Sequence, residues 1–285
     1  MSLSARLTQY ALLMRLHRPI GIFLLLWPTL WGLWFASHGQ PDVHVLTVFV
    51  LGVVLMRSAG CVINDYADRA FDPHVERTRT RPIAAGLVQP REALILFAAL
   101  CLTAFALVLT LNRLTILLSF AGAFLAASYP FLKRFTHLPQ FYLGAAFGWS
   151  IPMAFAAQTG DVPPLAWVVF AANVCWSVAY DTAYAMVDRD DDLRVGVKST
   201  AILFGRYDRA MIALFHAGTL MWLALAGFIA GCGILYYSSL VTAVGFAAYQ
   251  QMLMHDRGRD GSFQAFLNNN RFGAVVFAGL VLDYW

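Results

Sequence analysis

Long apolar runs alternate with short polar breaks along the whole chain, and nine of these runs approach the ~20 residues a helix needs to cross a hydrocarbon core. With the polar breaks as their ends, the runs cover about 19–37, 42–65, 91–111, 113–132, 139–158, 164–187, 208–230, 233–254 and 267–285. Little chain is left over for a soluble domain. The pattern therefore predicts an all-α, polytopic chain with one integral domain over 1–285. Ahead of the first run, residues 3–17, "LSARLTQYALLMRLH", mix basic and apolar positions and read as a short helix lying along the membrane surface. The first run follows Arg6, Arg15 and Arg18 and has the length of a full span without a small-x-small cleavage site, so it reads as a retained helix.

Composition strengthens this reading. The 285 residues are 60% hydrophobic and 13% charged, where soluble domains carry roughly 25% charged residues, and mean hydropathy is +0.64. Cys61, Cys101, Cys175 and Cys232 sit singly in four different apolar runs, without the paired spacing of a metal site or a disulfide framework. They read as small core residues. With the N-terminus in the cytoplasm, the Lys and Arg residues at 69–91, 133–134, 189–209 and 257–271 all fall on that side, and Arg113 alone lies opposite. The acidic residues follow the same bias, with only Asp42, Asp161 and Asp283 on the far side. One face thus collects charge of both signs, which points to work on charged molecules at the cytoplasmic face. The basic residues follow membrane topology and the net charge is only +4, so nucleic acid is not an expected partner.

Two acidic clusters carry the chemistry. The second run ends in "NDYADRAFD" at 64–72 and the sixth in "DTAYAMVDRDDD" at 181–192, and basic loops follow, "HVERTRTRP" and "LRVGVKST". The two helices lie four apart in order and point the same way, as a parallel internal duplication into two halves would place them. Positions four apart share a helix face at steps of about 6 Å. Asn64, Asp68 and Asp72 thus form a ladder that extends back to Cys61 and Arg57, and Asp181, Tyr184, Asp188 and Asp192 form a second one. Pro73 is expected to end the first helix close to Asp72. These carboxylates then meet the negative end of the helix dipole, and a charge in the membrane costs roughly 2.5–3.5 kcal/mol near its centre. Something cationic has to compensate. Arg57, Arg69, Arg77, Arg79 and Arg81 are near in sequence, yet the excess of oxygen donors matches Mg²⁺ held by carboxylates together with substrate phosphates. An isoprenoid diphosphate fits such a site, since its tail partitions into lipid while its head needs metal and basic residues. Its ionisation leaves an allylic cation that an apolar, aromatic cavity stabilises. Trp27, Trp31 and Trp34 read either as part of such a pocket or as lipid-facing belt residues. Lys133 and Arg134, in "SYPFLKRFTHLPQ" at 128–140, read as membrane anchors or as ligands, whereas Arg57 lies inside an apolar run and is a functional candidate by position.

"NDYADRAFD", "YPFLKRFTHLPQ", "YDTAYAMVDRDDD" and "GVKSTAILFG", together with the amino-terminal "RLHRPIGIFLLLWPTLWGLW", resemble the UbiA-type intramembrane prenyltransferases over nearly the whole chain. The resemblance implies a nine-transmembrane-helix bundle of the bacterial inner membrane, with a central cavity open sideways to lipid and a cap of cytoplasmic loops. It implies that Asn64, Asp65, Asp68 and Asp72, with Asp188 and Asp192, attend to Mg²⁺ and diphosphate, the four aspartates Asp68, Asp72, Asp188 and Asp192 being catalytic. Lys198 and Arg77 or Arg81 would contact phosphate oxygens, Arg134 the carboxylate of an aromatic acid, and Lys133, Asp181 and Tyr184 the substrates more generally. The implied reaction moves a polyprenyl group from a polyprenyl diphosphate to the ring carbon of 4-hydroxybenzoate ortho to its hydroxyl, a step of ubiquinone biosynthesis. Two alternatives stay open: a related prenyltransferase with another aromatic acceptor, and a cation-coupled secondary transporter.

Overall fold

The computed structural model describes residues 2–70, 72–74, 78–132 and 134–285, and among these every regular element is helical. The elements are α1 (Leu3–Leu13), α2 (Ile20–Ser37), α3 (Val43–Ala67), α4 (Pro90–Val108), α5 (Arg113–Leu132), α6 (Pro139–Gly148), α7 (Ser150–Thr159), α8 (Pro164–Val195), α9 (Thr200–Phe204), α10 (Asp208–Ala230), α11 (Ile234–Leu253) and α12 (Arg259–Tyr284). Single 3₁₀ turns follow α3 and α9, at Asp72–His74 and Gly205–Tyr207.

Among the described residues, six stretches are long and apolar enough to cross a membrane: α2, α3, α4, α5, Thr200–Ala230 and α12. The chain is a multi-pass membrane protein. The other three runs read as spans, 139–158, 164–187 and 233–254, do not meet this test, and the physical reasons differ. The run at 139–158 is broken at Trp149 into two helices of 10 residues each, α6 and α7. Helix α8 carries Asn173, Ser177 and Thr182, all fully buried, so its polar groups face protein rather than lipid. In α11, Ser239 and Gln250 are buried in the same way. A helix wrapped by its neighbours does not need to be apolar all round. Helices α4 and α5, at the periphery, have only 11% of their spanning positions buried, against 56% in α2.

The core lies where α2, α8 and α12 meet. Trp31 and Trp176 are fully buried with ring centroids 5.2 Å apart, and Trp176 stacks on Phe272 at 5.9 Å. Each indole finds an acceptor, as a buried indole N–H must: Trp31 donates to the Gly273 carbonyl, Trp27 to Asn270 and Trp176 to Asn269. Trp34 packs edge-on against Phe277. Trp27, Trp31 and Trp34 therefore tie α2 to α12, which corrects both readings of them, belt and pocket.

Loops at the two ends have different jobs. At the end without the acidic clusters, Asp42 caps α3 by accepting from the Val45 amide at 2.9 Å, and Asp283 accepts from the Gly233 and Tyr236 amides. At the other end, Asp208 is fully buried and accepts from Arg189 of α8 and from Arg257 of the α11–α12 loop. This ion-paired lock holds the carboxyl end of α8 against α10. Helix α1 lies at the same end, its Arg6 paired with Glu92 at 2.6 Å and its Leu7 exposed.

Candidate active site

Helix α3 ends earlier than the sequence suggested, at Ala67, and Asp68 is its C-cap rather than a residue of its last full turn. The ladder survives because the backbone keeps a helical hydrogen-bond register past that point. The Asp68 amide donates to the Asn64 carbonyl and the Asp72 amide to the Asp68 carbonyl, each at 2.9 Å. The Thr78 hydroxyl then donates to the Asp72 carbonyl and pins the turn from outside.

Asp65, Asp68 and Asp72 are all buried. Asp65 is met by two arginines, Arg15 at 2.6 Å and Arg81 at 3.0 Å, and Arg81 also reaches Asp72 at 2.9 Å. Part of the compensation expected of a metal thus comes from these guanidiniums, and Arg81 lies on carboxylates in this arrangement. Burial pushes the Asp72 carboxyl above the usual carboxylate range, Arg81 opposes the shift, and Asp68 and Asp65 add to it.

The second ladder is sorted by its neighbours. Asp190 and Asp191 turn outward to Arg259, and Asp191 also to Arg194. Asp188 is half-buried and within electrostatic range of Asp181. Asp181 accepts a hydrogen bond from the side chain of Gln140, whose carbonyl oxygen in turn accepts from the Thr200 amide at 3.0 Å. Gln140 therefore clamps α6, α8 and the start of α9 around this carboxylate. Gly196, at φ 73°, ends α8 in the left-handed conformation that glycine adopts without strain, and it turns Lys198 back toward the site's rim. There Lys198 donates to the Phe135 carbonyl at 3.2 Å. Arg134 donates to the Ala67 carbonyl at 2.9 Å, a favourable place for a cation at a helix C-terminus. Tyr184 packs against Phe266 with centroids 4.8 Å apart. Arg77 and Lys133 lie outside the described residues.

Arg57 of α3 lies against α2. Its guanidinium packs over Gly21 of α2, where a Cβ would fall 2.2 Å from Nε, so glycine is required for the close approach. Nη1 donates to the Cys61 sulfur at 2.7 Å, and Nε is buried without a hydrogen-bond partner among the described residues. Tyr129 of α5 is within electrostatic range of Arg57, Cys61, Arg15 and Asp181, and Arg15 is within range of Tyr184. Residues from α3, α5 and α8 thus share one polar centre. Below it opens a cavity of about 450 Å³ between α2, α3, α4, α5 and the broken pair α6–α7. Arg57 and Tyr129 stand in its wall, which is otherwise mostly apolar, with Phe49, Phe97, Phe105 and Trp149 supplying rings.

Residues 25–274 match the UbiA prenyltransferase family. The chain belongs to this family. It is 64% identical over 279 residues to a Nitrosococcus oceani protein named 4-hydroxybenzoate octaprenyltransferase, with 98% of each chain covered. A Methylococcus capsulatus protein of the same name is 64% identical over 283 residues, covering 99% of this chain and 97% of the relative. Among solved structures, the apo form of a UbiA homolog from Aeropyrum pernix K1 superposes with a TM-score of 0.82 at 27% identity, over 93% of this chain and 98% of that one. A UbiA homolog from Archaeoglobus fulgidus bound to GPP and Mg²⁺ shares the fold, with a TM-score of 0.72 at 16% identity over 95% and 99% of the two chains.

In this UbiA-family chain the donor set suits a hard divalent cation. Asn64, Asp68, Asp72, Asp188 and Asp192 offer side-chain oxygens, the ligand type a hard cation takes. Among the described residues no three His, Cys, Asp or Glu side chains gather closely enough to hold one metal ion. Mg²⁺ is bound through one or two carboxylates and completes its shell with phosphate oxygens and water, so a substrate's phosphates would have to supply part of such a shell. Sequence reasoning missed Arg15, Tyr129, Gln140 and the Arg189–Asp208–Arg257 lock. Gln140 and Tyr129 stood inside a quoted motif without a periodic or charge signal to single them out.

Proposed function

We propose that the protein transfers a polyprenyl group from a polyprenyl diphosphate to the ring carbon of 4-hydroxybenzoate ortho to its hydroxyl, releasing diphosphate. The observation that carries this reading is that Arg57 and Tyr129, within electrostatic range of Cys61 and Asp181, stand in the wall of an apolar cavity of about 450 Å³. The name shared by relatives 64% identical over almost their full length supports the acceptor and the reaction.

Asp68 and Asp72 on one side and Asp188 and Asp192 on the other would hold Mg²⁺, with Asn64 as a neutral oxygen donor. Bound Mg²⁺ supplies Lewis acidity that offsets the charge growing on diphosphate as its C–O bond breaks. Lys198 and Arg77 or Arg81 would meet phosphate oxygens, while Asp65 holds Arg15 and Arg81. The electron pair of the C–O bond leaves with diphosphate, and the allylic cation is stabilised by the rings of the cavity wall. The ring carbon of the acceptor attacks that cation, and its proton leaves to diphosphate or to a neighbouring aspartate. Arg134 is engaged at the end of α3, whereas Arg57 stands in the cavity wall, so Arg57 is the better match for the acceptor carboxylate. Tyr129, Asp181 and Tyr184 would position the acceptor ring beside it.

An apolar cavity of about 150 Å³ takes one benzene. A volume of about 450 Å³ therefore holds roughly three such rings' worth of carbon, and the rest of a long tail would run out sideways between helices into lipid. We further place the acidic end in the cytoplasm of a bacterial cell, by the bias of Lys and Arg to that end, with the protein in the inner membrane and its loops capping the site. In this arrangement α6–α7 counts as one broken span and α8 and α11 as two more, giving nine crossings. One domain of two parallel halves is supported by packing: α3 packs on α4 as α8 packs on α10.

Incubating the purified protein in detergent with 4-hydroxybenzoate, octaprenyl diphosphate and Mg²⁺ tests the reading. The expected product is a ring-carbon prenylated acid, formed without any membrane gradient. Prenylation of a different aromatic acceptor in a panel, with 4-hydroxybenzoate untouched, would refute the substrate. Absence of any transfer would favour the carrier.

A further inference from the structure

We propose that the groove between α11 and α12 at the acidic end binds the phosphate headgroup of one anionic phospholipid, with Arg271 as its cation. The site is separate from the reaction and does not rest on it. Arg271 is the last charge on α12 before the apolar run "FGAVVFAGLVL" at 272–282. It therefore stands where the helix enters the hydrocarbon, at the depth from which an arginine reaches lipid phosphates. Other arginines at this end are engaged: Arg189 and Arg257 on Asp208, Arg259 on Asp190 and Asp191, Arg209 on the Gln251 and His255 carbonyls. Arg271 is exposed and has no hydrogen-bond or ion-pair partner among the described residues.

The surroundings match a headgroup and one acyl chain. Arg271 borders a groove of about 240 Å³ that also receives Tyr249, Leu253, Gln264, Leu267 and Asn268. Gln250 donates to the Asn268 side-chain oxygen at 3.2 Å, so the carboxamide is fixed with its oxygen already used and its NH₂ left as the donor. Tyr249 and Gln264 are exposed and add a hydroxyl and an amide. These are the neutral donors that a phosphate diester needs beside one guanidinium. The outward face of α11 next to the groove is apolar, with Met252 70% and Val241 72% exposed, so an acyl chain can lie along it. A free soluble anion gains nothing from that surface. Basic pockets between membrane helices at such a boundary take anionic lipid.

The test is native mass spectrometry of the delipidated full-length protein, titrated with phosphatidylglycerol or with phosphatidylcholine of the same acyl chains. The first phosphatidylglycerol should bind roughly fivefold more tightly than phosphatidylcholine, the size of one basic residue's contribution at an anionic surface. Arg271→Gln should erase that preference, and Arg271→Lys, which keeps the charge, should retain most of it. Both variants should elute and melt like the parent. A preference that survives in Arg271→Gln, or no preference in the parent, overturns the proposal. Displacement of the lipid by millimolar inorganic phosphate would make this a soluble-anion site and overturn the lipid assignment.

Discussion

Replacing Asp188 by alanine is expected to lower turnover by about a thousandfold or more, the scale on which a lost electrostatic contact to the reacting charge is felt. Asp188 lies on the inner side of α8, in electrostatic range of Asp181 and so of the centre that Arg57 and Tyr129 share. No other group on α8 can replace it from the same face except Asp192, one turn further from the membrane. Asp190 supplies the control. It is two residues away in the same helix, 70% exposed, and paired with Arg259 at 3.8 Å, so Asp190→Ala should turn over within a factor of about two of the parent, as exposed ion pairs contribute little. Turnover with Mg²⁺ in detergent, beside elution and helix content to confirm folding, decides it. Equal losses in the two variants would mean that the cluster acts through its total charge and that the inner ladder is no site.

Arg57→Ala is expected to cost about 2–4 kcal/mol in kcat/KM for the acceptor, roughly thirtyfold to a thousandfold, as removal of one partner of a buried charge pair does. The loss should fall mainly on the apparent KM for 4-hydroxybenzoate, with that for the prenyl diphosphate close to the parent's, because a uniform binding contact is removed. A neutral acceptor sharpens the test. The parent should discriminate strongly between 4-hydroxybenzoate and 4-hydroxybenzamide, and Arg57→Ala should abolish most of that discrimination. A variant that loses activity equally toward both acceptors would show that Arg57 serves the bundle, through Gly21 and Cys61, rather than the carboxylate.

Much of this site can be read from spacing. The four-residue steps that align Asn64, Asp68 and Asp72 are a one-dimensional signal that the folded chain keeps in its hydrogen-bond register. The position of Arg57 inside an apolar run was equally visible. What spacing could not carry are contacts made across the chain. Arg15 reaches Asp65 from 50 residues away, from a turn after α1 where its φ is 55°, and no local periodicity points to it. The end of α3 was misjudged because Pro73 drew attention to Asp72, whereas the helix gives way at Asp68 and only its hydrogen-bond register runs on. The tryptophans of α2 were ambiguous because composition cannot tell a ring at a lipid boundary from one whose N–H meets Asn270 or Gly273 on another helix. Three of the nine expected spans fall below an apolar-length test for a related reason. Apolar length alone does not separate a helix facing lipid from one such as α8, whose Asn173, Ser177 and Thr182 are buried against other helices.

The central claim is that the two ladders act together through a divalent metal on a diphosphate. It is tested most directly by following prenyl transfer from octaprenyl diphosphate to 4-hydroxybenzoate as the metal is removed and restored. The account predicts that exhaustive chelation stops product formation, that Mg²⁺ restores it, and that Asp68→Ala or Asp188→Ala leaves nothing for Mg²⁺ to restore. Undiminished transfer in the chelated protein would contradict it.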